Sequence, residues 1–370
     1  MTTGMTSGDG QRRRRGAQLR LREHDCPLTE EALNIHRRFA HRLLRLGVFA
    51  VLPISTLALS AAACTFAGIA ARNVGAFFRT PDAVENRITN PIRPDAKLAV
   101  LWVGHSTVLI QIGDKFVLTD PVFTQYIGGL SRRLVEPGIA PEHLPRIDAV
   151  LVSHRHLDHL SRDTFHMLSP RLTSVLTPLG AAADIPKGSY RVEEIPYWQK
   201  WKRDGLTVTA VPVDHDGGRI LDSDSHPQAF TGYVIQHDGV TVYFPGDTAY
   251  QKPMFDEVAR RFGPIDLALI PIGPISSPDI MLKHHLDPEQ ALQAANDLQA
   301  AVMVPIHFGT FINSLDAAGD CEAALDEALR KGRAGRVSVE KLRIGEQRIL
   351  IAAAAAASGD GGPGRWSTSR

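Results

Sequence analysis

Residues 150–160 read VLVSHRHLDHL, and this run constrains the chain more than any other. An apolar, β-branched stretch ends in four metal-binding groups packed into six positions: His154, His156, Asp158 and His159. Along an extended segment, side chains at i and i+2 point the same way, so His154 and His156 share a face. The following loop can carry Asp158 and His159 to an adjacent position. Imidazole and carboxylate are the ligands that a borderline cation such as zinc prefers. Four costly polar groups at the end of a buried strand need a partner, and a metal ion supplies one. The plain alternative is a polar turn in which histidines merely cluster.

Three further candidates stand at later strand ends. His215 follows TAVPVD, Asp247 follows VYFPG and His307 follows VMVPI. Alone, His215 or His307 reads as a surface or hydrogen-bonded histidine. Joined to the first motif, they bring the set to seven ligands, enough for two metals a few Å apart. The three cysteines, Cys26, Cys64 and Cys321, are far apart and make no CxxC pair, so histidine and carboxylate must do any metal binding.

Strand-like runs of β-branched residues lie at 98–104, 107–112, 115–120, 149–154, 205–213, 266–272 and 301–307, and a hairpin over 232–247 turns at His237-Asp238-Gly239. Helical patterns fall at 161–168, 255–262, 287–299 and 320–331. The third of these has Asp287 as its cap, Pro288 at its first position and Glu289 in its first turn. Many strands with helices between them predict a layered α/β domain over 98–351. A charged fraction of 22% beside 44% hydrophobic residues suits a globular chain. Lys plus Arg (41) nearly equal Asp plus Glu (40), so no nucleic-acid partner is expected.

The amino-terminal 45 residues are basic and read as a flexible tail followed by a basic helix. Residues 46–71 then pass without a single charge, and about 20 apolar residues suffice to cross a bilayer. Several readings compete here: a signal anchor, a signal peptide cleaved near Ala61-Ala62-Ala63, a lipoprotein signal ending at Cys64, or a buried core helix. The basic flank favours a cytoplasmic amino terminus and an extracytoplasmic catalytic domain. A linker over 72–97 precedes the domain, and a disordered tail over 352–370 follows it.

In order, HxHxDH, a histidine, GDT and a strand-end histidine resemble the metallo-β-lactamase superfamily, whose fold is a four-layered αβ/βα sandwich. GHSTVLIQIGDKFVLTDPVF (104–123), HHLDPEQAL (284–292) and VPIHFGTF (304–311) resemble the branch containing N-acylphosphatidylethanolamine-hydrolysing phospholipase D and the ascorbate-phosphate lactonases. The resemblance implies that His154, His156 and His215 hold one metal, and that Asp158, His159 and His307 hold the other. Asp247 bridges both. Two Zn2+ are the expected ions, with Mn2+ or Fe2+ also compatible with these ligands. It further implies a dimetal-bound hydroxide that attacks a phosphodiester, with Asp158 handling its proton and His285 assisting the leaving group or orienting the phosphate. Asp120 corresponds to a carboxylate behind a ligand histidine, with His105 near it in the pattern.

Two stretches depart from the branch. Asp216-Gly217-Gly218-Arg219 lacks the usual aromatic after His215, and PISSPD (274–279) replaces a Tyr/Arg-bearing stretch. The expected function is therefore a metal-dependent hydrolase acting on a phospholipid, or on a small-molecule ester such as a lactone, at a membrane and as a homodimer. A β-lactamase, a nuclease-like phosphodiesterase, a vestigial metal-binding protein and an iron-flavin redox protein are the remaining alternatives.

Overall fold

A computed structural model of the protein describes residues 65, 67–85, 87–129, 131–216, 218 and 226–354. The basic amino-terminal region, most of the apolar segment 46–71 and most of the carboxy-terminal tail lie outside these residues. Among the described residues, no helix is long and apolar enough to cross a membrane.

The first helix, α1, covers residues 67–77. It continues from the described end of the apolar segment into the stretch expected as linker. Its inner face is tied to a later loop, since Asn73 Nδ2 donates to the Ile312 carbonyl at 3.0 Å and Arg72 Nη1 to that of Ser314 at 3.1 Å.

The chain then builds β1 (Ala96–Gly104), β2 (Thr107–Ile112) and β3 (Lys115–Thr119), followed by a small ribbon of β4 (Tyr126–Ile127) and β5 (Ser131–Arg132). Next come β6 (Ala149–Leu151), α2 (Arg162–Leu168), β7 (Ser174–Thr177) and β8 (Arg191–Glu194). The second half contains β9 (Lys200–Arg203), β10 (Leu206–Val211), β11 (Gly232–His237), β12 (Val240–Phe244), α3 (Lys252–Phe262) and β13 (Ile265–Pro271). It closes with α4 (Pro278–Met281), α5 (Pro288–Asp297), β14 (Ala300–Ile306), α6 (Asp320–Arg330), β15 (Ser338–Val339) and β16 (Gln347–Ala352).

Two mixed seven-stranded sheets result. The first has the order β16-β1-β2-β3-β6-β7-β8 and the second β15-β14-β13-β12-β11-β10-β9. Alternation along β1 shows how they stack. Leu98, Val100 and Trp102 join a core shared with Val208, Ala210, Tyr233 and Ile235 of the second sheet. Leu101 and Val103 face the other way, into a cluster with Phe165 and Leu168 of α2. Phe255 of α3, Leu292 of α5 and Leu325 of α6 complete the core around the second sheet. This is the period-2 pattern of strands buried on both faces.

Local chemistry sets the element ends. At α5, Asp287 accepts from the Gln290 amide while the Gln290 side chain accepts from the Asp287 amide, closing a capping box at the expected start. Ser161 caps α2 with a single bond, its hydroxyl accepting from the Thr164 amide. Helix α3 begins at Lys252, three residues ahead of the expected start, because Pro253 occupies its first turn. The β11–β12 hairpin turns through Asp238 (φ 46°) and Gly239 (φ 70°), both left-handed as a two-residue turn requires. Strands β4, β5, β7, β8, β9, β15 and β16 were not expected from the sequence.

Candidate metal centre

Six strands deliver their ends to one place. His105 directly follows β1, Asp120 follows β3, and His307 follows β14, all three with left-handed backbone (φ 55°, 30° and 64°). His154 lies three residues past β6, Asp247 three past β12 and His215 four past β10. The loops are fastened to one another. His154 bridges the backbone of Phe230, the Thr231 amide donates to the Ser153 carbonyl at 2.8 Å, and the Ala249 amide donates to the Asp214 carbonyl at 2.7 Å. Gly246 is required here: its φ is +67°, and a Cβ would stand 2.2 Å from Ser153 Cβ.

The candidates form two adjoining clusters. In the first, His154 Nε2 lies 2.9 Å from His156 Nδ1, which is 3.4 Å from His215 Nε2. In the second, His159 Nε2 lies 3.2 Å from His307 Nε2, and Asp158 Oδ2 is 3.7 and 3.8 Å from these two nitrogens. Asp247 stands between the clusters. Its Oδ2 is 3.1 Å from His159 Nε2 and 3.9 and 4.0 Å from the Nε2 atoms of His154 and His215, while Oδ1 is 3.2 Å from His307 Nε2. Ligands held tetrahedrally at about 2.0–2.1 Å from a cation are themselves about 3.3 Å apart, so the spacing fits.

The outer nitrogens fix which ring atoms face inward. His159 Nδ1 donates to Asp120 Oδ2 at 2.6 Å, and that carboxylate also accepts from the Ser153 hydroxyl (2.6 Å) and amide (2.7 Å). With its hydrogen committed to Asp120, the Ser153 oxygen accepts from His154 Nδ1 at 2.8 Å. His215 Nδ1 donates to the His284 carbonyl at 3.0 Å and His307 Nδ1 to the Gly273 carbonyl at 3.0 Å. His156 Nε2 pairs with Asp216 Oδ1 at 2.8 Å. Lone pairs of His154, His156 and His215 therefore converge on one point. One shared proton can serve a single pair of them, whereas all three together call for a cation. Asp247 Oδ1 is buried without a hydrogen-bond partner, a second sign of an unmet need. The donor set thus fits metal ions.

The charges tell the same story. Burial lowers His154 well below the ordinary histidine value and takes His215 to about 4, so both are neutral and free to bind. Burial opposes ionisation of Asp158 and Asp247, yet the surrounding imidazoles, His159 foremost, hold both well below the carboxylate range. Burial likewise opposes protonation of His159, but Asp247, Asp158 and Asp120 together raise it strongly.

His285 lies beside the centre, with Nδ1 3.6 Å from Asp247 Oδ2 and its ring stacked on His307 at 5.5 Å. Burial pushes it down to about 3, so the ring is neutral, and Nδ1 has no hydrogen-bond partner. His105, expected to back the ligand set, places Nε2 3.0 Å from Asp158 Oδ2 and groups with Asp158, His159 and His307. Sequence reasoning missed the supporting roles of Ser153, Asp216 and the His284 carbonyl. The Arg133 Nη2 donates to the Val122 carbonyl, and its guanidinium lies 4.7 Å over Phe311. The Asp216 contact had a signal in the text, because this residue occupies the position where the branch has an aromatic.

Comparison with known proteins agrees with this architecture. A family model described as a beta-lactamase superfamily domain matches residues 115–308. An uncharacterized protein of Mycobacterium tuberculosis is 37% identical over 236 residues, covering 60% of this chain and 62% of that protein. The N-acyl-phosphatidylethanolamine-hydrolyzing phospholipase D 1 of Caenorhabditis elegans is 32% identical over 248 residues, 62% of this chain and 68% of that protein. Among solved structures, Igni18, described as a metallo hydrolase from Ignicoccus hospitalis, shares the fold with a TM-score of 0.52 at 21% identity, over 68% of this chain and 97% of that one. The chain thus spans under two thirds of the mycobacterial relative's length. With the six converging strand ends and a family match over more than half its length, the chain belongs to the metallo-β-lactamase superfamily.

Proposed function

We propose that this protein is a metal-dependent hydrolase that cleaves a phosphodiester of the N-acylphosphatidylethanolamine type, releasing an N-acylethanolamine and leaving a phosphatidic acid. The observation that carries the proposal is the convergence of seven donors into two clusters joined by Asp247. The likeness to the nematode phospholipase supports the substrate class. His154, His156 and His215 would hold one metal; Asp158, His159 and His307 the other, with Asp247 shared and zinc the expected ion. Bound there, two cations would make water a nucleophile near neutral pH and offset charge on the phosphoryl oxygens.

The chain's own groups supply the rest. Asp158 accepts the proton of the attacking water, with His105 Nε2 holding its carboxylate in place. As a neutral imidazole, His285 donates a hydrogen bond to a phosphoryl or leaving-group oxygen, which favours the orienting role over that of an imidazolium acid. The bond that forms is water oxygen to phosphorus; the bond that breaks is phosphorus to the ethanolamine oxygen, which takes up the proton that Asp158 accepted from the water. The apolar segment 46–71 would keep the site at a membrane, with the catalytic domain on its extracytoplasmic side. Val74, Phe77 and Phe78, exposed on α1 and just after it, extend that apolar character onto the described domain.

The test offers the zinc-loaded full chain N-acylphosphatidylethanolamine vesicles and, in parallel, a panel of small lactones. Metal-dependent release of N-acylethanolamine, absent in His154→Ala, is the expected result. Lactone turnover alone would replace the substrate while keeping the hydrolase. Turnover of neither would overturn the proposed reaction.

A further inference from the structure

We propose that Asp216 is a positioning residue that fixes the orientation and tautomer of His156, and thereby sets the affinity of the first metal site separately from the second. The inference rests on the two-metal reading above. Its geometry is direct, since Asp216 Oδ1 lies 2.8 Å from His156 Nε2. With the proton held on Nε2, Nδ1 keeps its lone pair and turns it toward His154 and His215. The loop opposite completes a clamp. His284 accepts from His215 Nδ1 through its carbonyl at 3.0 Å, and its own Nδ1 is 3.6 Å from Asp216 Oδ2. Two loops, one after β10 and one before α5, thus hold the outer nitrogens of two of the three first-site histidines.

The contrast with the other histidines makes the inference specific. The partners of His154 and His159 are the buried side chains of Ser153 and Asp120, and His307 is held by the backbone of Gly273. The Asp216 side chain is instead 60% exposed. An isolated surface ion pair with that exposure contributes little to stability. Its effect is therefore expected on the orientation of the ring it holds rather than on the fold.

Two measurements on the full chain test this. Nitrogen-detected NMR of the metal-free protein, at a pH high enough to keep His156 neutral against the raising effect of Asp216, reads its tautomer without any metal. Competition with a fluorescent zinc chelator then reads the affinity of each bound equivalent. In the wild type we expect the Nε2–H form of His156 and two zinc equivalents. Asp216→Ala should mix the tautomers and weaken one equivalent about 10- to 100-fold, the usual range for losing such a partner, while leaving the other unchanged. Asp216→Asn, whose amide oxygen still accepts from Nε2–H, should restore most of both. An unaltered tautomer in Asp216→Ala, two equivalents bound as in the wild type, or equal weakening of both would overturn the proposal. Fewer than two equivalents in the wild type would contradict the two-metal reading instead, and the tautomer result would still decide the role of Asp216.

Discussion

Asp120 accepts the Nδ1 proton of His159 across 2.6 Å, although the two residues are 39 positions apart, one directly after β3 and the other in the turn that follows β6. The carboxylate is wholly buried, and Ser153 occupies it from the other side through both hydroxyl and amide. One side chain thus orients ligands of both clusters, His159 directly and His154 through the Ser153 hydroxyl. Asp120→Ala should lower zinc affinity about 10- to 100-fold at both sites. It also strands buried donors on Ser153 and His159, at about 1–3 kcal/mol each. Chelator competition and urea unfolding of the metal-free protein check the two effects. Wild-type values in both would mean that the network does not support the site.

Gly246 should not tolerate a side chain. An L residue at its φ of +67° costs about 1–2 kcal/mol, and the added Cβ would meet Ser153 2.2 Å away. Gly246→Ala is therefore expected to lower the unfolding midpoint and to displace Asp247, so that zinc binding weakens at both sites. A stable Gly246→Ala protein that binds two equivalents would contradict the packing of this loop on Ser153.

Phe165 provides the complementary case, a core residue outside the ligand set. It is fully buried on α2 and packs with Tyr190 at 6.0 Å between ring centroids. Phe165→Ala should cost about 3–5 kcal/mol in urea unfolding. Turnover per folded molecule should be unchanged, and its loss would show that the outer core cluster reaches the site.

Much of the centre was legible in the sequence because metal ligands here are local in the chain or immediately follow apolar runs. His154 to His159 lie in one motif, and His215, Asp247 and His307 each close a strand. The start of α5 could be read from Asp287, since capping is local chemistry. What could not be read was long-range. His105 pairs with Asp158, 53 positions away, and nothing in its neighbourhood announces that. Strands β8 (RVEE) and β9 (KWKR) escaped for a different reason: at the rims of their sheets they are largely exposed and charged, so no apolar alternation marks them. Their place comes from backbone pairing with β7 and β10.

Cys321 should be chemically silent. Burial pushes its thiol up to about 12, with Asp316, Asp320 and Glu322 adding to the shift. A raised thiol pKa means that the reactive thiolate is scarce at every pH below about 12 and grows only as pH climbs toward it. In a Cys26→Ser, Cys64→Ser background, a disulfide reagent at pH 8 should label the native protein slowly and the urea-unfolded protein at once. Equal rates would contradict the burial of Cys321 on α6.

Native mass spectrometry of the zinc-loaded full chain tests the two-metal reading most directly. The expected spectrum shows two zinc ions per chain, one in His154→Ala, and loss of the paired state in Asp247→Ala. A single ion in the wild type, or two ions that persist when His154 or Asp247 is removed, would contradict the assignment of these residues to a shared dimetal centre.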